Sequence, residues 1–254
     1  MKIRVLGAFG GEGLGHRPSA FLVNDRTLID AGTVTGALSV PEQLSIEHAL
    51  ISHAHLDHIA GLVYLTETLG FCETGAAVTI ASIDPVVGTL RAGVFNNILW
   101  PDFSKIPHAD VPVVKYRTLV EDVEQRLGDL WVTPILVHHT VPTSGFIVHD
   151  GSTGLVYSGD TGPTTALWHA ARGLQGVRAV ILECAFPNRL GPLAEIARHL
   201  TPSLVQRELE KLPPEVPVWI FHVKPQFHEE IAAELDRFGA GRVAILEQDR
   251  IYSI

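Results

Sequence analysis

The stretch Ile51-Ser52-His53-Ala54-His55-Leu56-Asp57-His58 puts four side chains able to ligate a metal within six residues. It follows a short apolar run at residues 49–52, which reads as a strand, and precedes a helical pattern over residues 60–69. Side chains alternate along extended backbone, so His53 and His55 project to one side. The turn into the helix then brings Asp57 and His58 towards the same space. Neutral imidazoles with a carboxylate suit Zn(II), Mn(II) or Fe(II). A solvated loop with Asp57 placed favourably at a helix start accounts for one such residue. It does not account for four at this spacing.

A metal site needs ligands from further along the chain, and three places supply them. His138-His139-Thr140-Val141-Pro142 follows the run at 131–137, and Ser158-Gly159-Asp160-Thr161-Gly162 follows the run at 155–157. Phe221-His222-Val223-Lys224 closes the run at 218–221. Each ends a predicted strand, where loops on a rigid sheet can converge polar groups. Taken singly, His139 reads equally well as a rim histidine, Asp160 as a helix cap and His222 as a satisfied core histidine. Together they read as one cluster. The chain carries 13 histidines beside only 19 Lys and Arg, so a shared role for several of them is the natural expectation.

Composition sets the wider frame. The 254 residues are 46% hydrophobic and 19% charged, with mean hydropathy +0.22, a globular composition far from that of disordered chains. The net charge of −9 repels phosphate backbones, so stable nucleic-acid binding is not expected. Two cysteines, Cys72 and Cys184, exclude a disulfide framework and thiolate zinc sites. No apolar run is long enough to span a membrane, and the first residues lack the apolar core of a secretory signal. A cytoplasmic location without membrane attachment is therefore expected. Further strands are predicted at 3–6, 20–23, 27–30, 78–81, 145–148, 179–182 and 243–246, with a hairpin turn at Asp150-Gly151-Ser152-Thr153-Gly154. Helices are predicted at 85–96, 164–172, 192–199, 202–212 and 228–238. Strands that neighbour one another early and alternate with helices later imply a layered α/β or α+β architecture in one domain, residues 1–254. Residues 100–117 are the least regular and are expected to form a covering loop. Gly10-Gly11-Glu12-Gly13-Leu14-Gly15 lacks the Lys and the helix of a phosphate-binding loop. It reads as a turn at the mouth of the site, with His16 and Arg17 near substrate.

In order and spacing these residues resemble the metallo-β-lactamase superfamily of binuclear metal hydrolases, and Leu28-Ile29-Asp30-Ala31-Gly32 resembles its first motif. The resemblance implies an αββα sandwich, two mixed sheets packed face to face with helices on the outer faces. It implies two divalent metal ions, Zn first and Mn or Fe as alternatives. One is held by His53, His55 and His139 and the other by Asp57, His58 and His222, with Asp160 bridging and Asp30 supporting the loop. His139 is preferred to His138 because Thr140-Val141-Pro142 and then Gly145-Phe146 follow it, as in the third motif.

Within the superfamily, His55-Leu56-Asp57-His58-Ile59-Ala60-Gly61-Leu62 resembles the signature of class II cyclic-nucleotide phosphodiesterases. So do Asn97-Ile98-Leu99-Trp100-Pro101-Asp102, Leu182-Glu183-Cys184-Ala185-Phe186-Pro187-Asn188, His199-Leu200-Thr201-Pro202 and His222-Val223-Lys224-Pro225. Tyr64 and Thr66-Glu67 depart from it. The resemblance implies hydrolysis of 3′,5′-cyclic nucleotides, cyclic AMP or GMP, by hydroxide generated at the metals. Asp57, Glu183 and His199 are the catalytic candidates, with Glu183 holding His199 to protonate the leaving ribose oxygen. A small-molecule cyclic nucleotide is the expected partner, with Lys224, Asn97 and Trp100 as its contacts and a homodimer as the default assembly. Ribonuclease Z-like cleavage of tRNA ranks second, since that group's gripping arm is not found and the chain is acidic. An ester or lactone hydrolase on the same fold follows. A non-catalytic metal-binding module ranks last, because all seven ligand positions hold competent residues.

Overall fold

The computed structural model describes residues 1–72, 74–172, 176–239 and 241–254. The chain opens with β1 (Lys2–Gly7), β2 (Ala20–Val23), β3 (Thr27–Ala31), α1 (Val40–Leu44), β4 (His48–Leu50), α2 (Leu56–Phe71), β5 (Val78–Ile83) and α3 (Asp84–Thr89). A small hairpin of β6 (Pro107–His108) and β7 (Val111–Pro112) leads to β8 (Val114–Leu119), β9 (Gln125–Leu127), β10 (Leu130–Leu136), β11 (Ser144–His149) and β12 (Gly154–Tyr157). The remainder is α4 (Ala166–Arg172), β13 (Val177–Glu183), α5 (Gly191–Ala197), α6 (Pro202–Leu209), β14 (Val218–Phe221), α7 (His228–Leu235), β15 (Val243–Ile245) and β16 (Ile251–Ser253).

The strands form two seven-stranded sheets, β16-β1-β2-β3-β4-β5-β8 and β15-β14-β13-β12-β11-β10-β9. Both change direction at their middle strand. Pairing is antiparallel from β16 to β3 and parallel from β3 to β8. It is likewise antiparallel from β9 to β12 and parallel from β12 to β15. The two halves thus repeat one topology without a repeat in sequence.

The period of two along each strand sorts apolar side chains into layers. Phe21, Val23, Phe146, Val148, Ala179 and Ile181 enter the layer between the sheets. Their neighbours Leu22, Ile147, Val180 and Leu182 face outwards. The outer face of the first sheet packs on Ile59, Leu62, Leu65 and Leu69 of α2 and on Val86 of α3. The second packs on Leu167 and Trp168 of α4, Val205 and Leu209 of α6, and Ile231 and Leu235 of α7. Burial on both faces explains why these strands read as unbroken apolar runs. Each fully buried large side chain contributes about 1.5–3 kcal/mol. The architecture is the αββα sandwich.

Several expectations need correction. Residues 100–117 do not form an irregular cover: β6 and β7 pair there, and β8 completes the edge of the first sheet beside β5. Its polar Lys115 and Arg117 mask the strand pattern and suit an edge. Strands β9 and β16 also lie outside the predicted strands, and both are edges. Helix α1 lies outside the predicted helices too, although Ser39 and Glu42 form the reciprocal capping box that marks its start. The helix expected at 85–96 is α-helical only to Thr89 and widens into an i→i+5 turn over Leu90–Val94. Among the described residues no helix is long and apolar enough to cross a membrane.

One buried polar contact ties two outer helices together. The Trp168 indole N–H on α4 donates to Glu208 Oε2 on α6 at 2.5 Å, and Lys211 Nζ donates to Glu208 Oε1 at 2.6 Å. Glu208→Ala leaves the indole N–H unpaired and should destabilise the fold by about 1–3 kcal/mol. Urea denaturation checks this, and an unchanged midpoint would show the contact to be inert.

Candidate metal centre

The site gathers where strands end. Ile51 N–H still donates to Ala81 O on β5, at 3.0 Å, and the chain leaves the sheet at Ser52. Ser52 is gripped from both sheets. Its N–H donates to Asp30 Oδ1 at 2.7 Å, its hydroxyl donates to Asp30 Oδ2 at 2.8 Å, and its carbonyl accepts from Ser144 N–H of β11 at 3.0 Å. His53 and His55 follow with ring centroids 4.6 Å apart, and His55, in extended backbone, is the N-cap of α2. Asp57 and His58 occupy the first turn of that helix.

Asp30 is fully buried and has φ of 52°, an unusual backbone state for a non-glycine residue. Its Oδ2 also accepts from Tyr157 OH at 2.5 Å and meets His58 Nδ1 at 2.7 Å. The carboxylate therefore makes His58 Nδ1 the protonated nitrogen and turns Nε2 to the cluster. The same device recurs. His53 Nδ1 lies 3.0 Å from Ser52 Oγ, whose proton is already given to Asp30, so the imidazole donates. His139 Nδ1 meets Arg198 O at 3.3 Å, while the Arg198 guanidinium donates back to His139 O at 2.5 Å. Three imidazoles thus present Nε2.

Asp160 sits at the centre. Its carboxylate lies 3.3 Å from His58 Nε2, 3.6 Å from His53 Nε2, 3.9 Å from His139 Nε2 and 3.2 Å from His222 Nε2. Gly159, at φ +58°, lets the chain turn there, because a Cβ would stand 2.9 Å from Ser144 O. His222, at the end of β14, has φ of 62°, and its N–H donates to Ala8 O at 2.7 Å. Its Nε2 lies 3.2 Å from Asp57 Oδ2. Gly10 makes room for this ring: a Cβ there would come within 2.8 Å of the imidazole.

Three groups of possible ligands result: His53, His55, His139 and Asp160; Asp57, His58 and His222; and Asp160, His199 and His222. Within each, one ligand atom per residue lies within 4.8 Å of all the rest. His53 Nε2, His58 Nε2 and Asp160 Oδ1 are buried without a hydrogen-bond partner, which is costly unless a cation completes them. The donors are nitrogen and carboxylate oxygen, fitting Zn(II), Mn(II) or Fe(II). Burial holds His53 well below the usual imidazole range, lowers His222, and brings His139 to about 4, so these rings are neutral and open to a metal. Burial alone would lower His58 too, but the carboxylates of Asp160 and Asp30 prevail and raise it well above its usual range. That field favours a cation at His58, either a proton or a metal ion.

The remaining expected residues divide. Lys224 lies 3.8 Å from Asp57 Oδ2 and donates to the Gly10 carbonyl. His199 Nδ1 meets Glu183 Oε1 at 2.7 Å, and the His199 ring lies 5.1 Å from that of His222 and 5.0 Å from that of His139. His138 is in none of the three groups. Asn97 accepts from Asp102 N–H at 2.9 Å, and Trp100 lies edge-on to Tyr64 at 6.0 Å, packed against the outer core. Neither hydrogen-bonds to or stacks on a cluster residue. Arg17 is engaged by Leu6 O and Asp249, and His16 stands against Phe9 at 4.4 Å, so the glycine-rich turn serves His222 through Gly10. Ser52, Tyr157 and Arg198 are supporting residues that sequence reasoning missed.

A sandwich of this build, with histidine and aspartate gathered at its strand ends, defines a hydrolase-type metal centre of the β-lactamase kind. The family described as the beta-lactamase superfamily domain matches residues 25–242, and the chain belongs to it. A probable 3′,5′-cyclic-nucleotide phosphodiesterase of Yersinia pestis is 27% identical over 281 aligned positions, covering 90% of this chain and 79% of that protein. A 3′,5′-cyclic-nucleotide phosphodiesterase of Aliivibrio fischeri is 27% identical over 251 positions, 82% of this chain and 74% of that one. The crystal structure of unliganded yeast PDE1 superposes with a TM-score of 0.83 at 18% identity, over 98% of both chains, and so shares the fold.

Asp30→Asn removes the charge that orients His58 and should weaken Zn(II) or Mn(II) binding by about 10–100-fold. Competition against a chromogenic chelator measures it. Unchanged affinity would remove Asp30 from the support of the site.

Proposed function

We propose that the chain is a binuclear-metal phosphodiesterase hydrolysing 3′,5′-cyclic nucleotides. One ion is held by His53, His55 and His139 and the other by Asp57, His58 and His222, with Asp160 shared and Zn the first candidate for both. Divalent ions at such a site lower the pKa of bound water to about 7 and offset charge on phosphoryl oxygens. Lys224, 3.8 Å from Asp57, adds a cation for the phosphate.

The observation that carries the reading is the Glu183–His199 pair beside the ligand cluster. Glu183 is fully buried, and its carboxylate is satisfied by Thr161 N–H at 3.0 Å, Leu200 N–H at 3.2 Å and His199 at 2.7 Å. Burial by itself lowers His199, but the Glu183 charge and hydrogen bond outweigh it and raise the imidazole above its usual value. With Nδ1 held by the carboxylate, Nε2–H is the proton available to a substrate. Breaking a phosphodiester leaves a ribose alkoxide, a poor leaving group that needs a proton as the P–O bond opens. Water supplies the new P–O bond, and His199 supplies the proton to the departing oxygen. The relatives named as cyclic-nucleotide phosphodiesterases point the same way.

His199→Ala should lower turnover of a cyclic nucleotide by about 10²–10⁴-fold. It should lower hydrolysis of an activated aryl phosphodiester far less, because a phenolate leaves without protonation. Equal losses on the two substrates would deny His199 the acid role. Cleavage of precursor tRNA or a lactone in preference to cyclic nucleotides would redirect the reading to another branch of the superfamily.

A further inference from the structure

His199 also lines a cavity of about 670 Å³ formed between α5, α6 and the turns at His138 and Gly162. That volume is sufficient for a nucleoside. Its wall includes Asn188, Glu195, Arg198, Ser203 and Arg207. Two of these are committed elsewhere: Arg198 holds the His139 carbonyl, and Asn188 Oδ1 accepts from Ser203 N–H at 2.8 Å. Arg207 and Glu195 are not. Both residues are exposed and border the same space, and among the described residues neither side chain has a hydrogen-bond or ion-pair partner.

The location decides what enters. A proton donor stands on the side of the leaving oxygen, so the sugar bearing that oxygen, with its base, lies on the His199 side of phosphorus. This step rests on the phosphodiesterase reading above. The wall then decides which base. Guanine presents two acceptors, O6 and N7, which match an arginine fork, and two donors, N1–H and the 2-amino group, which match a carboxylate. Adenine offers the lone pair of N1 where guanine offers a proton, and that lone pair would oppose Glu195. We infer that this cavity is the nucleobase pocket and that Arg207 and Glu195 select guanine over adenine.

The wild-type protein should hydrolyse cyclic GMP with a kcat/KM about tenfold above that for cyclic AMP. Arg207→Ala and Glu195→Gln should each collapse that ratio, mainly by raising KM for cyclic GMP. A wild-type preference for cyclic AMP, or equal losses on both nucleotides in the variants, would overturn the assignment. Inhibition of aryl phosphodiester hydrolysis by GMP and by AMP provides a second readout that needs no turnover of a cyclic nucleotide. GMP should inhibit more strongly than AMP, and the difference should disappear in Arg207→Ala. If neither cyclic nucleotide is hydrolysed but this difference holds, the reading of the reaction fails and the pocket stands. If cyclic nucleotides are hydrolysed and GMP and AMP inhibit alike, the pocket fails and the reaction stands.

Discussion

The structure depends on one buried carboxylate. Asp30 belongs to β3 of the first sheet, Tyr157 to β12 of the second, Ser52 to the loop after β4 and His58 to the first turn of α2. A single aspartate thereby joins both sheets, the ligand-bearing loop and the ligand-bearing helix. An unpaired charge at such depth would be prohibitive, so Asp30 is tolerable only with all its partners in place. Conversely, the partners fix the tautomer of His58 and the path of the chain through His53. Both middle strands, β3 and β12, carry this contact, and they are the strands at which each sheet changes from antiparallel to parallel pairing. Polar groups converge there because strand ends at such a switch leave a crevice between diverging connections.

Support of the cluster follows one pattern. His53, His58 and His139 each give Nδ1–H to an oxygen of the protein and turn Nε2 inwards. Asp30, Arg198 and His222, which hold or form the cluster, also adopt positive φ. Strain of this kind persists only where surrounding contacts over-determine it. For His222 those contacts are the hydrogen bond to Ala8 O and the bare face of Gly10.

Most of the core fold, and the gathering of the candidate ligands, could be read from residue order. The central strands are buried on both faces and therefore carry long apolar runs, and the ligands fall immediately after such runs. Strands β8, β9 and β16 could not be read because they are edges, where half the surroundings are solvent and polar residues are tolerated. Supporting groups were harder still. Tyr157 reads as a core aromatic, and only the fold reveals that its hydroxyl reaches Asp30 across 127 positions of sequence. Arg198 reads as a surface residue, yet its carbonyl and guanidinium both hold His139. For Trp100 the fold adds a neighbour that residue order does not show, the Tyr64 ring at 6.0 Å.

The proposed centre holds two ions on seven named residues. Anomalous X-ray scattering from crystals of the zinc-loaded protein tests it most directly. Two peaks are expected, one within reach of His53, His55 and His139 and one within reach of Asp57, His58 and His222, with Asp160 near both. A folded protein showing no peak there, or a single one, would contradict it.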